Sequence, residues 1–125
     1  MNLLLDTHAM LWAVAEPETL SDSARESITS GENTVRFSAC SIWEIAIKSA
    51  AGKLEVPGDL VGQLRARRYA SLDITTEHAF AAGFLPRHHG DPFDRMLIAQ
   101  ARLEGLTIVT RDPRFSLYDV EVLAA

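Results

Sequence analysis

Apolar and polar residues fall along this chain in blocks that change period. "NLLL" (2–5) is a short apolar run that stops at Asp6, the pattern of a buried strand. Residues 7–15 carry helical character as far as Glu16-Pro17, because a residue before proline resists the helix. In "LSDSARESITSGEN", Ser21 or Asp22 is placed to cap a helix ending at Gly31, a suitable C′ residue. "TVRFSA" (34–39) is a second strand by its β-branched and aromatic content. In "CSIWEIAIKSAAGKL", Ile42, Ile45 and Ala46 recur at helical spacing, and so do Trp43, Ile47 and Ala50. That breadth predicts a helix covered over much of its circumference, ended by Gly52. Pro57 is expected to start the next helix, whose polar side carries Arg65, Arg67 and Arg68. "SLDI" (71–74) is a weaker third strand, and "TTEHAFAAGFL" a helix capped by Thr75 or Thr76. "RMLIAQARLEG", closed by Gly105, is the clearest helix, "LTIVT" (106–110) the cleanest strand, and "VEVL" (120–123) the last.

Strands alternate with helices throughout, and the strands are apolar runs rather than alternating ones. Together these features predict an α/β fold with a parallel sheet covered on both faces. In such open sheets, ligands bind beyond the carboxyl ends of the strands. Asp6 follows the first strand, and Asp112 follows "LTIVT" in the same way.

Length and composition narrow the class. At 125 residues, without repeat or linker, the chain is expected to form a single domain, 1–125. The 47% hydrophobic content suffices for a core, and 23% charged residues argue against disorder. No apolar run approaches the roughly 20 residues of a membrane helix, and "LLL" is too short for a signal peptide. A single cysteine, Cys40, excludes an internal disulfide and a cysteine-rich zinc site. A cytoplasmic protein with no membrane partner is the expectation. The net charge of -5 speaks against a protein that coats nucleic acid, but not against a nuclease whose acids are neutralised by metal.

Four carboxylates are expected at one edge of the sheet: Asp6, Glu44, Asp94 and Asp112. Each has an ordinary structural reading. Asp6 is a good N-cap. Glu44 is the polar position of an otherwise apolar helix. Asp91 caps a helix with Pro92 at N1 and Asp94 at N3, a capping-box arrangement with Asp in place of Glu. Asp112 before proline starts a turn. As a group they ask for more. Carboxylates in apolar company are costly unless paired or coordinated, and close like charges raise each other's pKa. With no matching lysines, they call for cations, and hard oxygen ligands suit Mg²⁺ or Mn²⁺. One or two such ions fit metal-assisted phosphodiester hydrolysis, which needs no Ser, Cys or His nucleophile. Thr7 is either a helper through its hydroxyl or a cap, and His8 either an outer group of the site or a plain surface or core histidine.

Four separated stretches, "LLLDTHAMLW", "SACSIWEIAIK", "HHGDPFDRMLIAQA" and "IVTRDPRF", resemble in order the motifs of PIN-domain nucleases. They resemble most the VapC-type toxin ribonucleases of type II toxin–antitoxin modules. The resemblance spans Met1 to about Phe115. It implies a PIN-like three-layer fold, with a central parallel sheet of about five strands in the order 3-2-1-4-5 and helices on both faces. It implies a Mg²⁺- or Mn²⁺-dependent endoribonuclease. Asp6, Glu44 and Asp94 then match the first three family acids and Asp112 the fourth. Many relatives carry an Asn at that fourth position and an acid three residues later, where this chain has Phe115. The resemblance also implies a cognate antitoxin, an RNA substrate and commonly a homodimer.

Other features fit this expectation loosely. Trp12, Trp43 and the apolar helix around Glu44 are core first and dimer surface second. Arg65, Arg67 and Arg68 are taken as a solvated helix face. Arg87, His88, His89, Arg111 and Arg114 lie beside site motifs, where arginines can grip phosphates. Two rival classes remain: a PIN-like binding module without catalysis, and a receiver-like phospho-acceptor domain. The second lacks its chemistry, since Asp6 stands alone, no acid ends "SLDI", and Arg111 replaces the required Lys.

Overall fold

The computed structural model describes residues 1–125. Five strands, β1 (Asn2–Leu5), β2 (Thr34–Ser38), β3 (Ala70–Leu72), β4 (Thr107–Thr110) and β5 (Val122–Ala124), form one parallel sheet in the order β3-β2-β1-β4-β5. Six α-helices connect them: α1 (Thr7–Ala15), α2 (Asp22–Thr29), α3 (Ala39–Ala50), α4 (Leu60–Ala66), α5 (Thr76–Gly83) and α6 (Pro92–Glu104). Short 3₁₀ turns follow α1 at Pro17–Thr19 and β4 at Pro113–Leu117. The expected strand order is the observed one. No helix is long and apolar enough to cross a membrane.

β1 explains the two-sided core. Its side chains point alternately to opposite faces. Leu3 and Leu5 enter a core built with Met10, Ala24, Ile28 and Leu64, while Leu4 enters a second core with Leu97, Ile98, Ile108 and Phe115. All three leucines are fully buried, each contributing roughly 1.5–3 kcal/mol of hydrophobic stabilisation. The "LLL" run is therefore a strand with no solvent face. α3 reaches both cores, through Ile45 on one side and Cys40 on the other.

Four boundaries depart most from expectation, and the weak third strand is one: β3 spans Ala70–Leu72 rather than 71–74. α2 stops at Thr29, and Gly31 does not take a left-handed C′ conformation. α4 starts at Leu60 rather than Pro57; Asp59 sits at φ 53 and makes no side-chain cap bond. The Gln63 side chain instead ties back to the Gly58 carbonyl at 2.7 Å, and Gly58 and Asp59 form the entry turn. β5 slides to Val122–Ala124, where it pairs with Ile108–Thr110. The glycine stops of α3 and α6 hold, with Gly52 and Gly105 at φ 72 and 66, values that cost glycine little.

The chain leaves β1 toward β2 on one side of the sheet and meets β4 on the other. The crevice beyond the carboxyl end of β1 is thus the switch point where α/β sheets bind ligands.

Candidate active site

Asp6 is the first residue beyond β1 and is only 6% exposed. Its Oδ1 accepts the Ala9 amide at 2.8 Å, which makes it the N-cap of α1. Its Oδ2 accepts the Thr110 hydroxyl at 2.5 Å. Capping and site placement therefore coexist in one side chain. Burial pushes its pKa up, partly offset by these two hydrogen bonds and by His8, while Asp112 adds to the rise.

Glu44 lies in the second turn of α3 and is also 6% exposed. Its Oε1 accepts the Thr7 hydroxyl at 2.7 Å, and its Oε2 pairs with Lys48 Nζ at 2.6 Å. With the Thr7 proton given to Glu44, the Ser41 hydroxyl, 3.1 Å away, is left to donate to the Thr7 oxygen. Glu44 is thus well supplied with polar company, contrary to the apolar look of its neighbours in sequence. Lys48, four residues on, was hidden in plain sight as the (i, i+4) partner. The same pairing raises the Lys48 pKa.

Asp94 sits at N3 of α6, as the spacing indicated. The cap itself is Asp91, whose Oδ1 accepts the amides of Phe93 and Asp94 at 2.9 and 3.2 Å. The Asp94 carboxylate does not close a capping box. It faces Arg114 Nη2 at 3.4 Å and His89 Nε2 at 3.5 Å. Burial first, and then the charge of Asp91, push its pKa up to about 7, against the pull of Arg114; Glu44 and Asp112 add smaller increments.

Asp112 caps the 3₁₀ turn after β4 through the Arg114 amide at 2.9 Å. Arg114 also grips both its oxygens, with Nη2 to Oδ2 at 2.6 Å and Nε to Oδ1 at 3.2 Å. That hydrogen bonding holds the Asp112 carboxyl below the usual range. The Asp112 amide donates to Thr110 Oγ1 at 3.1 Å. Two polar strings therefore meet at the start of α1, one joining Glu44 to Thr7 and Lys48, the other running from Asp6 through Thr110, Asp112 and Arg114 to Asp94; the Asp6–Thr7 peptide bond is what connects them.

All four acids reach one edge, but no three His, Cys, Asp or Glu side chains converge closely enough to hold a metal ion as they stand. Lys48 and Arg114 occupy carboxylate oxygens that a cation would use. The donor set nevertheless suits a divalent ion. It is entirely hard oxygen, and the Asp94 pKa, raised to about 7 chiefly by burial and then by Asp91, marks a carboxylate that lacks a full counter-charge.

The remaining expected residues lie apart. His8 is exposed and stacks on Trp12 with ring centroids 5.7 Å apart. Arg111 turns away from the acids. Its guanidinium donates to the Thr19 and Ala125 carbonyls and lies 4.5 Å over the Trp12 ring. Cys40 is buried under α6, its thiol pushed up to about 12 chiefly by burial, so it is no nucleophile at neutral pH.

Comparison with known proteins follows the same outline. The family model for the PIN domain matches residues 3–121. The chain belongs to the PIN-domain family. Within it, this PIN domain is 31% identical over 116 residues to "Ribonuclease VapC22" of Mycobacterium tuberculosis (strain ATCC 25618 / H37Rv), covering 90% of this chain and 88% of that protein. In fold it is similar to VapBC2 from Rickettsia felis bound to a promoter DNA fragment, at TM-score 0.72 and 18% identity over 98% of each chain. DNA-bound VapBC from Salmonella typhimurium also gives TM-score 0.72, at 19% identity over 98% of this chain and 97% of that one. The PIN-domain sheet order therefore accounts for how acids 38, 50 and 18 residues apart come to the same edge of the sheet.

Three residues of the PIN-domain edge were not assigned from sequence: Lys48, Arg114 as a bridge between Asp94 and Asp112, and His89. Lys48 was legible from its (i, i+4) offset. The other two depend on how a turn and a loop fold back on α6.

Proposed function

We propose that this PIN domain is a metal-dependent endoribonuclease, the toxin of a toxin–antitoxin pair, which hydrolyses RNA phosphodiester bonds. The supporting observation is the arrival of Asp6, Glu44, Asp94 and Asp112, from four separate segments, at the switch point of the sheet. The likeness to a VapC ribonuclease supports RNA as substrate, and the likeness to VapBC structures supports a cognate antitoxin.

Asp6, Glu44 and Asp94 would hold Mg²⁺ or Mn²⁺, with Asp112 completing the set when Arg114 releases it. A divalent cation there supplies Lewis-acid charge for the phosphate and lowers the pKa of a coordinated water. The protein's own groups do the rest. The Ala9 amide and Thr110 hydroxyl fix the Asp6 carboxylate, and Thr7 fixes Glu44. Arg114, 48% exposed at the rim, is placed to exchange Asp112 for an RNA phosphate. A homodimer is part of the same reading. Trp43 is 60% exposed and packs edge-on against Phe93 at 5.3 Å, so it lies at the surface rather than in the core, while Trp12 is half-buried beneath Arg111.

The test is cleavage of RNA with Mn²⁺, with and without EDTA, beside Asp6→Asn. Asn keeps the helix cap while removing the charge, so the variant should fold and be inactive. Equal cleavage by that variant would expose a contaminant. Tight Mn²⁺ binding with no cleavage of any RNA would favour the binding module.

A further inference from the structure

The loop before α6 places His89 with a side chain only 7% exposed. Its Nε2 is buried, has no hydrogen-bond partner, and lies 3.5 Å from Asp94 Oδ2. Buried polar atoms are normally satisfied, and an exception needs a reason.

The other ring nitrogen decides the tautomer. Nδ1 is 2.7 Å from the hydroxyl of buried Tyr118. The Tyr118 oxygen already faces two groups that can only donate, Arg95 Nη1 at 3.3 Å and the His89 amide at 3.4 Å. A guanidinium has no acceptor. The Tyr118 proton is therefore left for Nδ1, and the single proton of the neutral ring goes to Nε2. Arg95 is itself held by the carbonyls of Ala82, Leu85 and Pro86, so the arrangement is rigid from its base upward.

We propose that His89 is a positioning residue of the nuclease site, whose Nε2–H, set by Tyr118, aligns the Asp94 carboxylate for a divalent cation. This rests on the reading of Asp94 as a metal ligand. It assigns the second half of "HH" a task that the acids alone do not supply. Carboxylates that bind metals are commonly oriented by such outer donors, at a cost of about 10–100-fold in affinity when these are lost. The unpartnered Nε2 is then a donor waiting a few tenths of an ångström short of its acceptor.

The experiment joins imidazole ¹⁵N NMR on the metal-free protein with calorimetric Mn²⁺ titration. The expected spectrum shows His89 protonated at Nε2, and Tyr118→Phe loses that preference. His89→Leu should bind Mn²⁺ about 10-fold more weakly, and Tyr118→Phe should weaken binding by a smaller factor. His89→Gln, which keeps an N–H donor at the same reach, should stay near wild type. An Nδ1-protonated ring, or His89→Leu binding as tightly as wild type, overturns the inference and leaves the nuclease reading intact. Wild-type protein that binds no Mn²⁺ overturns both. If His89→Leu fails to fold, the wild-type spectrum and Tyr118→Phe decide.

Discussion

The Thr110 hydroxyl, at the end of β4, donates to Asp6 Oδ2 beyond β1 at 2.5 Å. The Thr110 Oγ1 in turn accepts the Asp112 amide at 3.1 Å. One side chain thus sets both the orientation of the central acid and the turn that carries the fourth.

Thr110→Val keeps the shape and removes the hydroxyl. It leaves a buried carboxylate oxygen and a backbone amide without partners, at a cost of about 1–3 kcal/mol. The Asp6 pKa, already raised by burial, should rise further because the bond that lowers it is gone. Urea denaturation should show the loss of stability, and Mn²⁺ titration a weaker site at neutral pH.

Asp94 gives the metal-free protein a pH signature. Its folded-state pKa is raised, to about 7, so the folded state holds a proton that the unfolded state releases earlier. Its contribution is fully present below the ordinary carboxylate value and is lost as pH rises through about 7. Asp94→Asn should therefore exceed wild type in Tm at pH 8 in EDTA, with the gap closing toward pH 4. Other shifted groups, such as Asp112, are common to both proteins and largely cancel in the difference. With Mn²⁺ the order should reverse at pH 8, since only wild type offers the carboxylate.

Lys48 stands where a divalent ion would compete for Glu44. Lys48→Met leaves that buried carboxylate with Thr7 alone. The metal-free variant should melt below wild type, by a margin softened by solvent because Lys48 is 44% exposed. Saturating Mn²⁺ should narrow the gap. Thermal melts with and without the ion measure this directly, and an unchanged gap would separate Lys48 from the cation site.

Arg111 provides a contrast. Its guanidinium ties Thr19 and Ala125 to Trp12, away from the acids. Arg111→Met should lower stability by about 1–2 kcal/mol, from lost hydrogen bonds and cation–π contact, while Mn²⁺ affinity stays at the wild-type value. A selective loss of RNA cleavage without destabilisation would return Arg111 to the substrate path.

The sequence made the sheet legible because β1 and β4 are buried on both faces, and a run such as "LLL" has few other uses. The carboxylates were legible through their position after those strands. Partnerships were harder. "WEIAIK" looks like an acid in apolar surroundings, but its own helix brings Lys48 to Glu44 and the start of α1 brings Thr7. Asp91 was legible as the cap of α6 with Asp94 at N3, but only the fold shows that Asp94 closes no capping box and faces Arg114 instead. Arg111 and Arg114 are three residues apart and similar in sequence context. Arg111 precedes the 3₁₀ turn and reaches the Ala125 carbonyl just past β5, whereas Arg114 lies inside the turn and is carried to the acids.

The place of β1 at the centre of the sheet has a consequence for how the protein is made. Its partners are β2, about thirty residues later, and β4, with Leu3 opposite Thr107. Synthesis at about 5–20 residues per second separates Asp6 from Asp112 by roughly 5–20 s. During that interval the nascent chain holds an Asp6 whose Thr110 partner does not yet exist, and a crevice with one wall. A PIN domain built on this plan completes its acidic edge only as its last strands emerge, so for most of its synthesis the nascent chain lacks the arrangement that gathers the four carboxylates.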